Sequence, residues 1–193
     1  MNKNINKFEN FMDGFTAAVQ LVQRAGENGF FIEYTCLVAS IIDGLLRIGL
    51  ILQHQLETKG EEILDSLLFQ SNEDKIISER QIFKMALDKK VIPEKLFNDL
   101  GDLYKQRNRV VHRYIISDVS TKDVLNIGIQ YEQIKYLVSE CVKKLEDGQI
   151  QIGVGMTRAG KNTPEENLLK TLNEMSAKKH NDAVLNHALK KQN

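Results

Sequence analysis

The sequence predicts an all-α protein: an up-and-down bundle of four long helices with short extra helices, followed by a C-terminal arm and helix. Apolar residues recur at the three- and four-residue spacing of an amphipathic helix along four long stretches. Helix-start signals, among them Pro93 and Ser120, precede the later stretches. Strand-like alternation is limited to residues 149–155.

The length of the chain allows one domain with an appendage. With 193 residues, the chain divides into a helical bundle at residues 1–147 and an extended arm with a terminal helix at residues 148–193. The apolar fraction of 42% is ordinary for a globular protein, so the bundle can fill one hydrophobic core.

The first two predicted helices hold much of the apolar surface. Residues 5–25 form an amphipathic helix that Gly26 and Gly29 end. Residues 30–58 form a second helix that is apolar on nearly every side through its middle, which is typical of a central helix or of a subunit interface. Its most apolar run, residues 37–52, is too short for a membrane span and contains charges. We therefore interpret it as a core helix and expect no membrane association.

Asp43 and Arg47 are the charges within that apolar run. They lie four residues apart, so their side chains share one face of the helix. One interpretation is an ion pair within the helix at the edge of the apolar seam. The other is that one of them supports a functional site by orienting Arg107 or His112.

After the second helix, the sequence predicts two short helices, two long helices of the bundle and one helix in the tail. Residues 59–92 predict two short helices, the second of which opens with a capping-box pattern at Ser78. Pro93 fits the first turn of the next long helix. Ser120 caps the last helix of the bundle, and Gly148 ends it. The helix in the tail follows the bundle.

The tail changes character after the bundle. Residues 149–155 alternate apolar and polar side chains, which predicts a short strand or an extended arm. Thr163 then caps a helix with a narrow apolar face. We expect that helix to dock on a partner subunit or to be partly disordered.

Two motifs in the tail suggest ligands but lack the partners that those ligands need. Residues 155–161 match the G-x4-G-K pattern of a phosphate loop, yet Asn162 stands where the magnesium-binding Ser or Thr belongs, and no parallel sheet is predicted. His180 and His187 lie seven residues apart without further ligands nearby. We therefore expect no metal and no cofactor.

Charge composition restricts how the protein could bind nucleic acid. The 26 Lys and Arg residues equal the 26 Asp and Glu residues, so no global basic field attracts RNA. Any RNA site must be a local patch. The sequence predicts such a patch, because basic residues are concentrated in about two helical turns at Lys105, Arg107, Arg109 and Arg113.

The cysteine content and the N-terminal residues favour a cytoplasmic protein. Cys36 and Cys141 are far apart and lie in helical patterns, which is typical of buried, reduced thiols. Residues 1–10 are polar and show no signal peptide.

The basic patch belongs to the helix that begins near Pro93 and closes near Ser117. The apolar stripe of that helix comprises Leu96, Phe97, Leu100, Leu103, Tyr104, Val111, Tyr114 and Ile115. Arg107 interrupts this stripe where a packed hydrophobe is expected. Asn108 and His112 are four residues apart on a face that borders it. Such polar groups are costly to bury unless they are paired or used.

Arg107, Asn108 and His112 form the pattern Arg-Asn-x-x-x-His, which resembles the R-x4-6-H motif of HEPN domains (higher eukaryotes and prokaryotes nucleotide-binding). Arg113 and Tyr114 extend it to R-x4-H-x-Y, a form similar to HEPN toxins that pair with a small nucleotidyltransferase antitoxin. The resemblance covers residues 5–147 in architecture and only a short run of residues in detail.

The resemblance implies a metal-independent endoribonuclease with its site at a homodimer interface. It would cleave RNA by attack of the 2′-OH on the adjacent scissile phosphate. In this interpretation His112 transfers protons, Arg107 binds the phosphate, and Asn108 fixes the His112 tautomer or contacts a phosphate oxygen. One histidine per chain is few for acid–base work, and a two-fold dimer would bring two Arg/His sets to one cleft.

The residues around Arg107 and His112 each have two possible interpretations. Lys105, Arg109 and Arg113 are RNA-backbone contacts or solvated charges. Tyr114 is the target of nucleotidyl transfer by an antitoxin, as in the toxins that it resembles, or a packed aromatic of the stripe.

The leading hypothesis is therefore a ribonuclease, as the toxin of a toxin–antitoxin or phage-defence system, with RNA, a second copy and an antitoxin as its partners. The alternative is a non-catalytic HEPN-like module that dimerises and binds a nucleotide or a protein. A third possibility is an unrelated helical bundle in which the Arg/His pair is structural.

Overall fold

The computed structural model describes residues 3–68 and 76–157, with side chains from Lys7 onward. These residues form six α-helices and one 3₁₀ turn, and no strand occurs among them. In chain order the elements are α1 (Lys3–Glu27), α2 (Phe31–Thr58), α3 (Asp65–Leu68), α4 (Glu79–Asp88), α5 (Glu94–Arg113), the 3₁₀ turn (Tyr114–Ile116) and α6 (Thr121–Ile152). The all-α prediction is confirmed for this part of the chain.

Helix α2 lies at the centre of the fold. It packs most extensively against α6 and then α1, and it also contacts α3, α4 and α5. Ile42, Leu46 and Ile51 on this helix are fully buried. Its apolar character on nearly every side follows from this position, because a helix that contacts five others has little surface left for water.

Two glycines allow neighbours to approach α2 closely. A Cβ atom at Gly49 would lie 2.7 Å from Val91, and one at Gly44 would lie 2.9 Å from the Phe15 ring. Glycine inside a helix costs about 1 kcal/mol relative to alanine. Here that cost is offset by the close packing of α1 and of the segment before α5.

Helix α2 is also long and apolar enough to cross a membrane, by length and composition alone. In its most apolar window, 61% of the residues are buried inside the described part of the protein. That burial supports the interpretation of α2 as the core helix of a folded domain.

Several predicted helix boundaries are confirmed. Ser78 and Gln81 form a complete capping box at the start of α4, and Ser120 and Asp123 form another at the start of α6. Pro93 is the N-cap of α5, one residue before the first turn where it was expected.

The end of α5 differs from the prediction. The α-helix stops at Arg113, and Tyr114–Ile116 form a 3₁₀ turn instead of continuing toward Ser117. The apolar stripe also ends differently, because Val110 is buried whereas Val111 is 44% exposed and Ile115 is 95% exposed. The reason is the 3.6-residue period, which carries the buried line from Leu103 to Val110 seven residues later.

The predicted end of the last bundle helix is wrong. Helix α6 continues through Gly148 to Ile152, and Gly153, in the left-handed conformation, is its C-cap. Residues 149–152 are therefore helical, and the predicted strand or extended arm at 149–155 is corrected. Buried hydrogen bonds from Gln149 hold this last turn against α2.

The remaining predictions for the tail fall outside the described residues. They concern the helix that begins at Thr163, the phosphate-loop position of Asn162, and the histidines His180 and His187. The two cysteines are free thiols, and both are half-buried where full burial was expected.

Candidate functional site

Arg107 lies on the face of α5 that meets α4, where its guanidinium is held on three sides. Its Nη1 donates hydrogen bonds to both carboxylate oxygens of Glu79, at 2.9 and 2.7 Å. Its Nη2 donates to the Oδ1 of Asn108 at 3.0 Å. The guanidinium carbon lies 5.0 Å from the centroid of the Tyr104 ring, a cation–π distance. Arg107 can occupy a position in the apolar stripe because its charge has partners on its own helix and on α4.

The Glu79–Arg107 ion pair is mostly shielded from water, with 18% and 17% of the two side chains exposed. Burial raises the pKa of the Glu79 carboxyl, and Arg107 only partly offsets that effect, while the charge of Asp43 adds to it. Burial acts to lower the pKa of Arg107, but Glu79 outweighs it and holds that pKa above its ordinary value.

The contacts of Nη1 with both oxygens require an acceptor-only carboxylate, so we take the pair as ionised near neutral pH. Glu79 then accepts a proton more readily than an exposed glutamate does.

Glu79 and Arg107 line a surface cleft of about 200 Å³, which we call the Glu79–Arg107 cleft. Its other lining residues are Ala39, Ser40, Asp43 and Arg47 of α2. Two acids and two arginines from three helices thus meet around one opening. Two small side chains on α2 share its wall.

Asp43 and Arg47 form the intrahelical ion pair that the sequence suggested, with Nε of Arg47 2.6 Å from Oδ2 of Asp43. Arg47 also donates to the backbone carbonyls of Leu67 at 2.9 Å and Ile77 at 3.2 Å. The Oδ1 of Asp43 is buried without a hydrogen-bond partner in the described structure. Among the described residues, no hydrogen bond joins Asp43 or Arg47 to Arg107 or His112. Their predicted role in supporting the site would therefore act only through the cleft that they share with Arg107.

His112 is exposed near the end of α5, and it makes no hydrogen bond with the described residues. It follows Arg107 by five residues, which places the two side chains about 140° apart around the helix axis. The structure therefore brings Arg107 and Asn108 together and leaves His112 apart from them within one copy. Asn108 contacts the guanidinium and does not orient His112.

The predicted basic patch is partly neutralised. Lys105 contacts Asp102 at 2.9 Å, and Arg109 forms an ion pair with Asp118. Arg113 is exposed and has no ion pair within the described ranges. Exposed pairs of this kind are weak, so a phosphate could still compete for these cations.

Tyr114 begins the 3₁₀ turn, half-buried and packed against the edge of the core. Its hydroxyl lies 3.0 Å from the Oγ1 of Thr121. The ring also lines an open groove with Phe30 and Ile32, both exposed. Tyr114 is thus a packed aromatic whose hydroxyl stays at the surface, so both of its interpretations stand.

Exposed apolar residues surround the end of the motif. Val111 is 44% exposed, Ile115 is 95% exposed and Ile116 is 81% exposed. We call these three residues the motif-end patch. Exposed aliphatic side chains gathered in one short run of the chain are typical of an interaction surface.

Sequence reasoning missed Glu79 as a site residue. An acidic residue in the first turn of a helix is common, because it complements the helix dipole, and the capping box at Ser78 already accounted for the local pattern. No sequence signal connects Glu79 with Arg107, 28 residues later. Among the described residues, no group of three or more His, Cys, Asp or Glu side chains could hold a metal ion.

No protein-family model matches this chain, and neither does any curated protein or solved structure. The resemblance to HEPN domains therefore rests on the motif residues and on the helical pattern of the sequence.

Proposed function

We propose that this protein is a metal-independent endoribonuclease of the HEPN type that acts as a homodimer in the cytoplasm, with α1, α2, α5 and α6 as its four-helix bundle. One observation carries the proposal. Arg107 is fixed by Glu79 and Asn108 at the edge of a surface cleft, while His112 on the same helix remains exposed and free of hydrogen bonds to the described residues. A positioned cation and an accessible imidazole are the groups that RNA cleavage needs.

The proposed chemistry uses the nucleophile that RNA already carries. The 2′-OH attacks the adjacent phosphorus, the bond to the 5′-oxygen breaks, and the products are a 2′,3′-cyclic phosphate and a 5′-OH end. Arg107 binds the phosphate and stabilises its growing negative charge, because a guanidinium is planar and permanently charged. His112 transfers a proton, because an imidazole is the side chain best suited to take up and release protons near neutral pH.

A dimer is part of the proposal because Arg107 and His112 point about 140° apart on one helix. A two-fold arrangement can place Arg107 of one copy near His112 of the partner subunit. The motif-end patch of Val111, Ile115 and Ile116 lies beside His112 and would be covered in such a dimer.

The resemblance to R-x4-H-x-Y proteins leads us to propose a role as the toxin of a toxin–antitoxin or phage-defence system. A nucleotidyltransferase-type antitoxin would then modify the hydroxyl of Tyr114. The surface position of that hydroxyl, beside Thr121, supports its access to a partner enzyme. Lys105, Arg109 and Arg113 would contact the RNA backbone.

A second candidate is a non-catalytic HEPN-like module for dimerisation or for binding a nucleotide or protein. The contacts of Arg107 with Glu79, Asn108 and Tyr104 favour it, because they give the arginine a structural role without any substrate. In that case His112 would be a surface residue without a catalytic task.

The test incubates the purified protein with single-stranded RNA, with and without EDTA. We expect cleavage in both conditions, a loss of about 10²-fold or more in His112→Ala, and no change in His54→Ala, which removes a histidine from the end of α2. Expression of the wild type should arrest growth, and His112→Ala should not. Cleavage that needs a metal contradicts the mechanism, and RNA left intact by the wild type favours the binding module.

A further inference from the structure

The proposed reaction needs a base for the 2′-OH, and the structure holds a carboxylate beside the phosphate-binding arginine. Glu79 opens α4, and both of its carboxylate oxygens accept hydrogen bonds from Nη1 of Arg107. Both side chains line the Glu79–Arg107 cleft, so neither is sealed inside the core. The carboxylate is thus held in a fixed orientation at an opening that a ribose could reach.

Arg107 has the donors to bind Glu79 and a phosphate at the same time. A guanidinium carries five N–H donors, and the structure uses three of them, two toward Glu79 and one toward Asn108. The donors on Nε and the second one on Nη2 have no partner among the described residues. A phosphate bound there would place the neighbouring 2′-OH close to a carboxylate held by the same guanidinium.

We infer that Glu79 is the general base of the ribonuclease reaction, an inference that rests on the proposed function. The Glu79 carboxylate takes the proton of the 2′-OH, the 2′-oxygen forms a bond to phosphorus, and the bond from phosphorus to the 5′-oxygen breaks. The imidazolium of His112 gives its proton to the departing 5′-oxygen. One glutamate and one histidine then supply both proton transfers, and a second histidine is not needed in the same site.

The surroundings of Glu79 suit a base that works near neutral pH. The charged and titratable groups that face it are Arg107 from α5, Asp43, Arg47 and Cys36 from α2, and Tyr131 from α6. Burial and the charge of Asp43 raise the pKa of Glu79. A carboxylate with a raised pKa is a stronger base than an exposed one while Arg107 keeps it ionised.

The experiment compares Glu79→Gln, Glu79→Asp and the control Glu57→Gln in steady-state cleavage of one RNA substrate. Glu57→Gln removes a carboxylate from an ion pair of similar length, 2.7 Å to Lys89, outside the cleft. We expect Glu79→Gln to lower kcat by about 10²- to 10⁴-fold with little change in KM, and Glu79→Asp to recover part of the loss. Circular dichroism melting checks that each variant is folded.

The pH profile separates a base from a structural clamp. Wild-type kcat should rise with pH along an acidic limb that belongs to Glu79, and this limb should be absent in Glu79→Gln. Unchanged kcat in Glu79→Gln overturns the inference but leaves the ribonuclease function intact. A higher kcat would show that Glu79 restrains Arg107, and this also overturns it. If the wild type cleaves no RNA, both the function and the base assignment fail.

Discussion

The side-chain amide of Gln149 donates a hydrogen bond to the Oε1 of Gln55 at 2.9 Å, and both residues are completely buried. The same amide donates to the carbonyl of Leu52 at 3.1 Å. The Oε1 of Gln149 accepts hydrogen bonds from the backbone and hydroxyl of Thr157, at 3.1 and 2.7 Å. Two buried glutamines therefore join α2, the last turn of α6 and the chain that follows it.

Replacing Gln149 with alanine should lower the free energy of unfolding by about 2–3 kcal/mol, because it removes four hydrogen bonds from a buried network. Urea denaturation followed by circular dichroism measures the change. Gln151→Ala is the matched control, since Gln151 is exposed two residues later on α6. A loss below about 0.5 kcal/mol for Gln149→Ala would show that water replaces the network without cost.

Arg47→Ala should destabilise the protein by about 2–3 kcal/mol. The substitution breaks the ion pair with Asp43 and removes the donors to the carbonyls of Leu67 and Ile77, in a place where the two charged side chains are 11% and 23% exposed. Denaturation at neutral pH tests this. The control Lys84→Ala breaks an exposed pair with Asp88 and should change stability by less than about 0.5 kcal/mol. Equal effects of the two substitutions would rule out the proposed role of Arg47.

The helices of this fold were predictable because their signals are local. The apolar pattern of α2 and the capping boxes at Ser78 and Ser120 depend on residues within a few positions of one another. The end of α6 was not predictable, since Gly148 is a common stop signal that the buried bonds of Gln149 override. The partner of Arg107 was not predictable either, because Glu79 reaches it only after α4 and α5 have packed together.

Glu79 also predicts a pH dependence of stability with a definite sign. Its pKa is raised in the folded state, so the folded protein holds this proton more tightly than the unfolded chain does. The stability that this proton contributes is present below the unfolded pKa and is lost as the pH rises through the folded pKa. Relative to Glu79→Gln, the wild type should therefore lose stability as the pH rises from about 4.3, the ordinary pKa of an exposed glutamate, through the raised pKa of Glu79.

Urea denaturation of both proteins across that range measures the difference directly. Since Glu79→Gln cannot ionise at this position, other titrating groups largely cancel in the comparison. A wild type that gains stability relative to the variant as the pH rises would mean that the attraction to Arg107 exceeds the cost of burial.

If the proposed dimer covers the motif-end patch, substitutions in that patch should dissociate it. Ile115→Glu combined with Ile116→Glu puts two charges on a surface that the proposed dimer covers, so the protein should become monomeric and lose RNA cleavage. Analytical ultracentrifugation measures the oligomeric state. The control Ile152→Glu changes a residue that is 54% exposed at the other end of α6 and should leave the dimer intact. A double variant that remains dimeric would place the interface elsewhere.

Mixing two inactive variants tests whether Arg107 and His112 act across the dimer. In a heterodimer of Arg107→Ala and His112→Ala, one of the two shared sites keeps both an intact arginine and an intact histidine, if these come from opposite copies. With random exchange, half of the dimers are mixed and half of their sites are active, so cleavage should recover to about a quarter of the wild-type rate. Co-refolding the two variants and following RNA cleavage gives the measurement. If the two residues acted within one copy, every site in the mixture would lack one of them, and the activity would stay at the level of the separate variants.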